Sequence, residues 1–266
     1  MTRPLVVVAD DAGLAPESDA AILRCHREGI VGAASVVAGG PSSEQFLEAA
    51  RETSLDLGLH LNLTEGPAHR GEIPGLTQRG RFLDDKRATW NALAALVHPD
   101  DALRAEVAAQ WAWLVERGVD PVFVNGHNHV HVFPAVAEAL RDVIRDRRLF
   151  VRDPSPAHST AALSSFPWPR VLDRQGLQAC FPRAELLEAF AGFAFSTEAT
   201  LAQALAPWEV HSGARGEWMV HPGHRSGSAF ARSPVRDDEM SVLCDPRIVE
   251  GLAARGWQPT TYGELV

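Results

Sequence analysis

The 266-residue chain is 45% hydrophobic and 22% charged, with a formal net charge of −9 and a pI of about 5.6. That length buries a sizeable core and is ordinary for one α/β barrel, so a single domain over 1–266 is expected and extensive disorder is excluded. The acidity argues against nucleic acid, whose phosphates need a basic face, and no window approaches the ~20 apolar residues of a membrane-spanning helix.

Residues 4–9 are an apolar run that stops at Asp10 and Asp11; it is shorter than a signal-peptide core and reads as a buried first strand. A helix is predicted over 16–27, a second strand over 33–38 and a second helix over 43–51. In the third strand, 57–63, the four leucines alternate, so Gly58, His60 and Asn62 share the opposite face. Asp100 is placed to cap a long helix over 100–117. A strand over 122–125 follows, with Pro134 at the first turn of the next helix. Gly29, Gly118 and Gly256 each read as a left-handed residue closing a helix before a strand.

After Phe150-Val-Arg152 comes a Pro-, Ser- and Ala-rich stretch over 153–170, expected to be a rim loop or lid, with a disordered connector equally compatible with its composition. Helices over 183–190 and 197–205, a late strand over 217–220 ending at His221-Pro-Gly, and a last helix over 245–254 complete the pattern. The βαβα rhythm favours a parallel sheet or a (β/α) barrel.

Three side chains with metal chemistry stand at the ends of apolar strands: Asp11, His60 and His127. One carboxylate and two imidazoles leave a divalent ion with open positions, which is what a hydrolytic site needs. Of Asp10 and Asp11, one can bind metal while the other reaches a water or substrate; capping of the next helix is the competing role. His127, His129 and His131 alternate and share a face if their strand continues, with ligation expected from at least one. Glu217, Met219 and His221 share a face of the late strand, which suits a proton donor and its orienting partner, or a surface salt bridge. Arg152 ends another strand, where it holds a carboxylate or is an ordinary surface arginine. Cys25, Cys180 and Cys244 are odd in number and widely spaced; this opposes a disulfide framework and points to a reduced cytoplasm. There is no Gly-x-Ser-x-Gly elbow and no Walker-type loop.

Taken in order, Val8-Ala-Asp-Asp-Ala-Gly-Leu14, Gly58-Leu-His-Leu-Asn-Leu-Thr64, Val124-Asn-Gly-His-Asn-His-Val-His131 and Met219-Val-His-Pro-Gly223 resemble the YdjC-like carbohydrate deacetylases. These include the chitooligosaccharide and hopanoid-biosynthesis-associated deacetylases. The resemblance extends to the closing Arg255-Gly-Trp-Gln-Pro-Thr-Thr-Tyr262. It implies an α/β fold, a distorted (β/α) barrel related to the polysaccharide deacetylases, with one divalent metal held by Asp11, His60 and His127. Zinc suits such N and O ligands, and magnesium or manganese is also compatible. The chain departs from the family at Ala12, usually aromatic, and at Asn125, which is aspartate in some members.

On this reading the protein hydrolyses the N-acetyl group of an amino sugar or a small N-acetylated oligosaccharide or glycoconjugate. Asp10 is the base, His221 the acid, Arg152 and Glu217 tune them, and His129 is the reserve acid. The partner is a small carbohydrate, and homodimerisation is left open. Hydrolases of the amidohydrolase or phosphoesterase type are the first alternative. They usually carry His-x-His on the first strand and, when binuclear, a strand-end lysine; here His-x-His lies mid-chain and the only lysine, Lys86, sits in a polar segment. A non-catalytic sugar-binding barrel is the second, and it predicts loss of a base or ligand that this chain retains.

Overall fold

The computed structural model describes residues 2–155, 166–192, 199–224 and 235–266. Its strands are β1 (Arg3–Ala12), β2 (Ala33–Val36), β3 (Asp56–Leu61), β4 (Thr77–Gln78), β5 (Arg81–Phe82), β6 (Phe123–Gly126), β7 (Phe150–Val151), β8 (Ala189–Gly192), β9 (Gly216–Val220) and β10 (Trp257–Thr260). The helices are α1 (Pro16–Glu28), α2 (Ser43–Ala50), α3 (Lys86–Ala95), α4 (Asp101–Glu116), α5 (Pro134–Ile144), α6 (Arg174–Cys180), α7 (Leu201–Leu205), α8 (Pro207–Val210), α9 (Val235–Leu243) and α10 (Arg247–Ala254).

The main sheet runs β7-β6-β3-β2-β1-β9-β8, with β10 against the start of β1, and every pairing in it is parallel. Glu185, just ahead of β8, bridges back to Phe150 of β7, so the sheet curls towards closure. This is the expected distorted (β/α) barrel; β4 and β5 form a separate antiparallel ribbon.

Period-two geometry divides the strand residues between two environments. Leu5, Val7 and Ala9 of β1, Leu59 and Leu61 of β3, Val124 of β6 and Trp218 of β9 pack between sheet and helices. Val6, Val8, Ala33, Phe123, Phe150 and Tyr262 form a separate apolar cluster inside the curl. Two residues further along these inward columns stand Asp10, Ser35, Asn125 and Arg152, all buried, and His60 follows Gly58 in the same way. The interior is therefore an apolar floor beneath a polar layer at the C-terminal strand ends, where barrels keep their chemistry.

Asp100 caps α4 as expected, accepting from Leu103 N at 2.8 Å, and Pro134 opens α5. Gly118 and Gly256 are left-handed at φ 80° and 76°. Gly29 is not, with φ −131°; it is needed because a Cβ there would lie 2.3 Å from Leu243 O of α9.

The helix predicted over 183–190 does not form. Its Ala, Glu and Leu favour helix, but Leu186, Leu187, Ala189, Phe190 and Ala191 are buried around a half-buried Glu188, and burial on both sides makes it the approach to β8. The next helix starts only at Leu201, where Thr200 and Gln203 form a capping box; residues 197 and 198 lie outside the described residues. So does 156–165 of the expected lid, whose described flank ends in a tight turn at Trp168–Arg170. Among the described residues no helix is long and apolar enough to cross a membrane.

Candidate active site and metal centre

The site begins where β1 breaks. Its register against β2 shifts between Ala9 and Ala12, and Asp11 takes a left-handed φ of 68°, which a short polar side chain tolerates better than most. Asp10 stays in the inward column while Asp11 turns to the rim. Gly13, at φ +90°, follows; a Cβ there would sit 2.0 Å from Ser43 Oγ. Asp19 holds this turn, accepting from Gly13 N at 2.7 Å and Ser42 Oγ at 2.5 Å. Burial raises Asp19 to about 6 against those donors. The N-cap of α1 is Ala15, without a side-chain cap, so neither aspartate plays that part.

One ligand atom from each of Asp11, His60 and His127 falls within 4.8 Å of the other two. His127 Nδ1 lies 2.8 Å from Asp11 Oδ1, and His60 Nε2 lies 3.3 Å from both atoms. The surrounding network fixes which His60 nitrogen is free. Asn125 Nδ2 donates to the Asp10 carboxylate at 2.9 Å, so its Oδ1 faces His60 Nδ1, 2.6 Å away. His60 Nδ1 must then carry the proton, and Nε2 presents its lone pair to the triad. One carboxylate and two imidazoles so oriented fit a divalent cation. Burial opposes charge on His127, but Asp11 and then Glu65 outweigh it and push the ring up to about 10. Arg236 Nη2 donates to Asp11 Oδ2 at 3.0 Å, leaving Oδ1 for the triad.

Beneath the triad lies a charge network. Arg152, expected either here or on the surface, is fully buried. It donates to both oxygens of Asp10, at 2.5 and 2.9 Å, and to Glu217 Oε1 at 2.5 Å. Ser35 Oγ adds a 2.8 Å bond to Asp10 Oδ1, and Tyr262 Oη one of 2.9 Å to Glu217 Oε2. Burial alone would raise Asp10; the guanidinium overrides it and holds the carboxyl well below its usual range. For Glu217 burial outweighs Arg152, and the net shift is upward.

His221 follows β9. Its backbone N–H donates to Glu239 Oε2 at 2.5 Å, so the carboxylate that holds it comes from α9 rather than from Glu217, which is buried and turned to Arg152. Burial lowers the His221 imidazole to about 4 against the pull of Asp11 and Asp10. Burial also raises Glu239 to about 8.

The alternation of His127, His129 and His131 does not become a shared face. After β6 the chain enters a tight turn over His127–Val132, with Asn128 and His129 left-handed at φ 53° and 56°. Trp90 Nε1 holds the Asn128 carbonyl at 3.0 Å, and Asn128 Nδ2 reaches Thr64 Oγ1 at 3.1 Å. Only His127 joins the triad. His131 Nε2 bonds Arg152 O at 3.0 Å. His129 packs among Phe166, Phe190 and His131; burial, then Arg152, keeps it well below the imidazole range.

Sequence reasoning missed Ser35, Glu65, Arg236 and Glu239. Ser35 was within reach, two residues beyond Ala33 in an inward column. The other three lie on a turn and on α9, where no periodicity points at a remote partner.

Residues 4–254 match a family model described as YdjC-like protein. A carbohydrate deacetylase of Mus musculus is 32% identical over 293 residues, covering 98% of this chain and 94% of that protein. A chitooligosaccharide deacetylase of Proteus mirabilis is 27% identical over 276 residues, covering 100% of each. Among solved structures, one from Enterococcus faecalis V583, named provisionally as a cellobiose-phosphate cleavage protein, matches with a TM-score of 0.72 at 18% identity over 100% of both chains. A lactam utilization protein from Thermus thermophilus matches at 0.51 and 13% identity, covering 97% of this chain and 98% of that one. At such identities the structural likeness speaks to the fold alone.

Proposed function

The chain belongs to the YdjC-like family, and on that footing we propose that it is a metal-dependent deacetylase that hydrolyses the N-acetyl group of an amino sugar or small N-acetylated oligosaccharide or glycoconjugate. The carrying observation is the convergence of Asp11, His60 and His127 beside the ionised Asp10. The relatives' names supply the substrate class. A cleft of about 350 Å³, lined by Asn62, Glu65, Arg81 and Asp84 among others, adjoins the triad through Glu65 and supports a ligand of sugar size. The free thiols of Cys25, Cys180 and Cys244 accord with a reducing, cytoplasmic setting. We read the chain as one catalytic domain.

Asp11, His60 and His127 would hold a divalent ion, which would supply Lewis acidity at the amide carbonyl and lower the pKa of a water from 15.7 to roughly 7. Two imidazoles in the donor set favour a zinc-type ion over magnesium. Asp10 takes the proton from the attacking water. Arg152 fixes its orientation through both oxygens, and Glu217 and Tyr262 anchor Arg152 in turn. Asp10 is held as carboxylate and His221 as neutral imidazole, so neither has a proton to give at neutral pH. The proton delivered to the departing amine is therefore the one removed from water. We assign its delivery to His221, whose neutral imidazole can take up that proton and pass it to the amine. Glu239 holds the His221 backbone.

The test is acetate release from N-acetylglucosamine and its oligomers, before and after exhaustive chelation and after restoring zinc, magnesium or manganese. Acetate release that survives complete metal removal would sink the mechanism. Phosphate release from a generic ester, without acetate, would favour the other hydrolase class.

A further inference from the structure

His127 is approached by carboxylates on both sides. Asp11 faces Nδ1, while Glu65 Oε1 lies 2.9 Å from Nε2. Glu65 lies outside the three-residue cluster, so it stands behind the ring rather than beside a shared centre. Oε1 is buried and makes no other hydrogen bond among the described residues, leaving an acceptor 2.9 Å from the one ring nitrogen the triad does not use.

The turn that carries Glu65 is built to hold it there. Asn62 Oδ1 accepts from Thr64 N at 3.0 Å and Glu65 N at 3.3 Å, and Asn62 Nδ2 donates to Glu65 O at 2.8 Å. Gln110 of α4 clamps the Asn62 backbone, accepting from its N–H at 3.0 Å and donating to its carbonyl at 2.6 Å. Thr64 is tied in turn to Asn128, the residue after His127. The two segments are thus fixed to each other independently of the contact between Glu65 and His127.

From this arrangement we infer that Glu65 is the positioning residue for His127: its carboxylate accepts from Nε2–H and so commits Nδ1 to the metal. The two histidines use opposite nitrogens, and each has its own acceptor, Asn125 for His60 Nδ1 and Glu65 for His127 Nε2. An acceptor behind a ligating imidazole fixes its tautomer and raises its basicity. This inference rests on the proposal that the triad holds a divalent ion.

The test is zinc affinity by competition with a chromophoric chelator, alongside the visible spectrum of the cobalt-loaded protein. Glu65→Ala is expected to weaken zinc roughly 10- to 100-fold. Glu65→Gln, which keeps an acceptor oxygen, should recover part of that loss. Both metal-free variants should melt near the wild type, because the turn is held by Asn62 and Gln110. At saturation all three cobalt spectra should coincide. Zinc affinity of Glu65→Ala within about twofold of wild type overturns the inference, since a positioning acceptor is worth more. So does an altered cobalt spectrum in Glu65→Gln, which would make Glu65 a ligand. Failure of the wild-type protein itself to bind any of these ions would instead overturn the parent reading.

Discussion

Replacing Arg152 with methionine keeps the unbranched part of the side chain out to the position of Nε and removes the guanidinium with every donor. The structure gives the consequence atom by atom. Asp10 Oδ1 retains Ser35 and Asn125, but Oδ2 loses Arg152 Nη1, its donor among the described residues. Glu217 retains only Tyr262. The three side chains are between 0% and 4% exposed, so water does not replace what is lost. Removing one partner of a buried pair costs about 3–5 kcal/mol, because the other charge is stranded. At this chain length that is a fall in Tm of roughly 6–20 °C.

The pH dependence follows from the sign of each shift. In the wild type Asp10 is depressed, so its contribution is present above the unfolded value and is lost only as pH falls through the lower folded value. Between pH 7 and 5 it is constant. In Arg152→Met the stranded carboxyl is raised instead, and the folded variant gains relative stability as pH falls towards the unfolded value. The deficit should therefore shrink on acidification by up to about 1.4 kcal/mol per pH unit for each carboxyl that protonates. Urea unfolding followed by circular dichroism at pH 7 and 5, with chelator present, measures it. Arg152→Met/Asp10→Asn should recover part of the loss, since no bare charge remains on Asp10. A loss below about 1 kcal/mol, the scale of an exposed ion pair, or a deficit that ignores pH, would refute the reasoning.

Asp10→Asn should retain zinc in a chelator competition and lose acetate release by roughly 10²- to 10⁴-fold, the usual contribution of a general base; retained turnover removes Asp10 from that role. His221, lowered to about 4 by burial, should add no step to the pH–rate profile between pH 5 and 8. A limb near pH 6.5 that disappears in His221→Gln would contradict the burial argument. Asp11→Asn and Asp11→Ala should both lose metal, but in the metal-free form alanine should be less stable than asparagine by about 1 kcal/mol, because the φ of 68° penalises a residue without a compact polar side chain. Equal urea midpoints would show that the left-handed turn carries no strain.

The inward columns were legible because strand periodicity is strict. The leucine alternation put His60 on the face opposite the helix-packed layer, and it lies there. The strand-end rule brought Asp11 and His127 to the same rim. Periodicity fails where the chain leaves regular geometry. His129 and His131 were projected along a strand that ends at Gly126, and two left-handed residues then scatter the rings. The stretch 183–190 misled in the opposite sense: its helix-forming composition is overridden by burial on both sides, which a local propensity does not register. Glu239 and Arg236 reach the site from α9 across more than two hundred residues of sequence from β1, and only the assembled barrel joins them to Asp11 and His221.

The layering of the interior also limits where this fold can change its substrate. Asp10, Arg152, Glu217, Asn125, His60 and Ser35 satisfy one another through direct bonds, and a buried polar network with a missing member is worse than an apolar core. Asp10, the proposed proton acceptor, and His60 of the metal-type triad are thus held by the same bonds that stabilise the barrel. A substitution in that layer acts on folding and chemistry together, whatever the substrate. Exposed residues on the rim carry no such burden. Arg81 and Asp84 line the cleft from exposed positions on and beside the β4–β5 ribbon, where a change of side chain strands no buried charge. On the proposed function, discrimination among carbohydrates falls to the rim segments and the hydrolytic step to the polar layer.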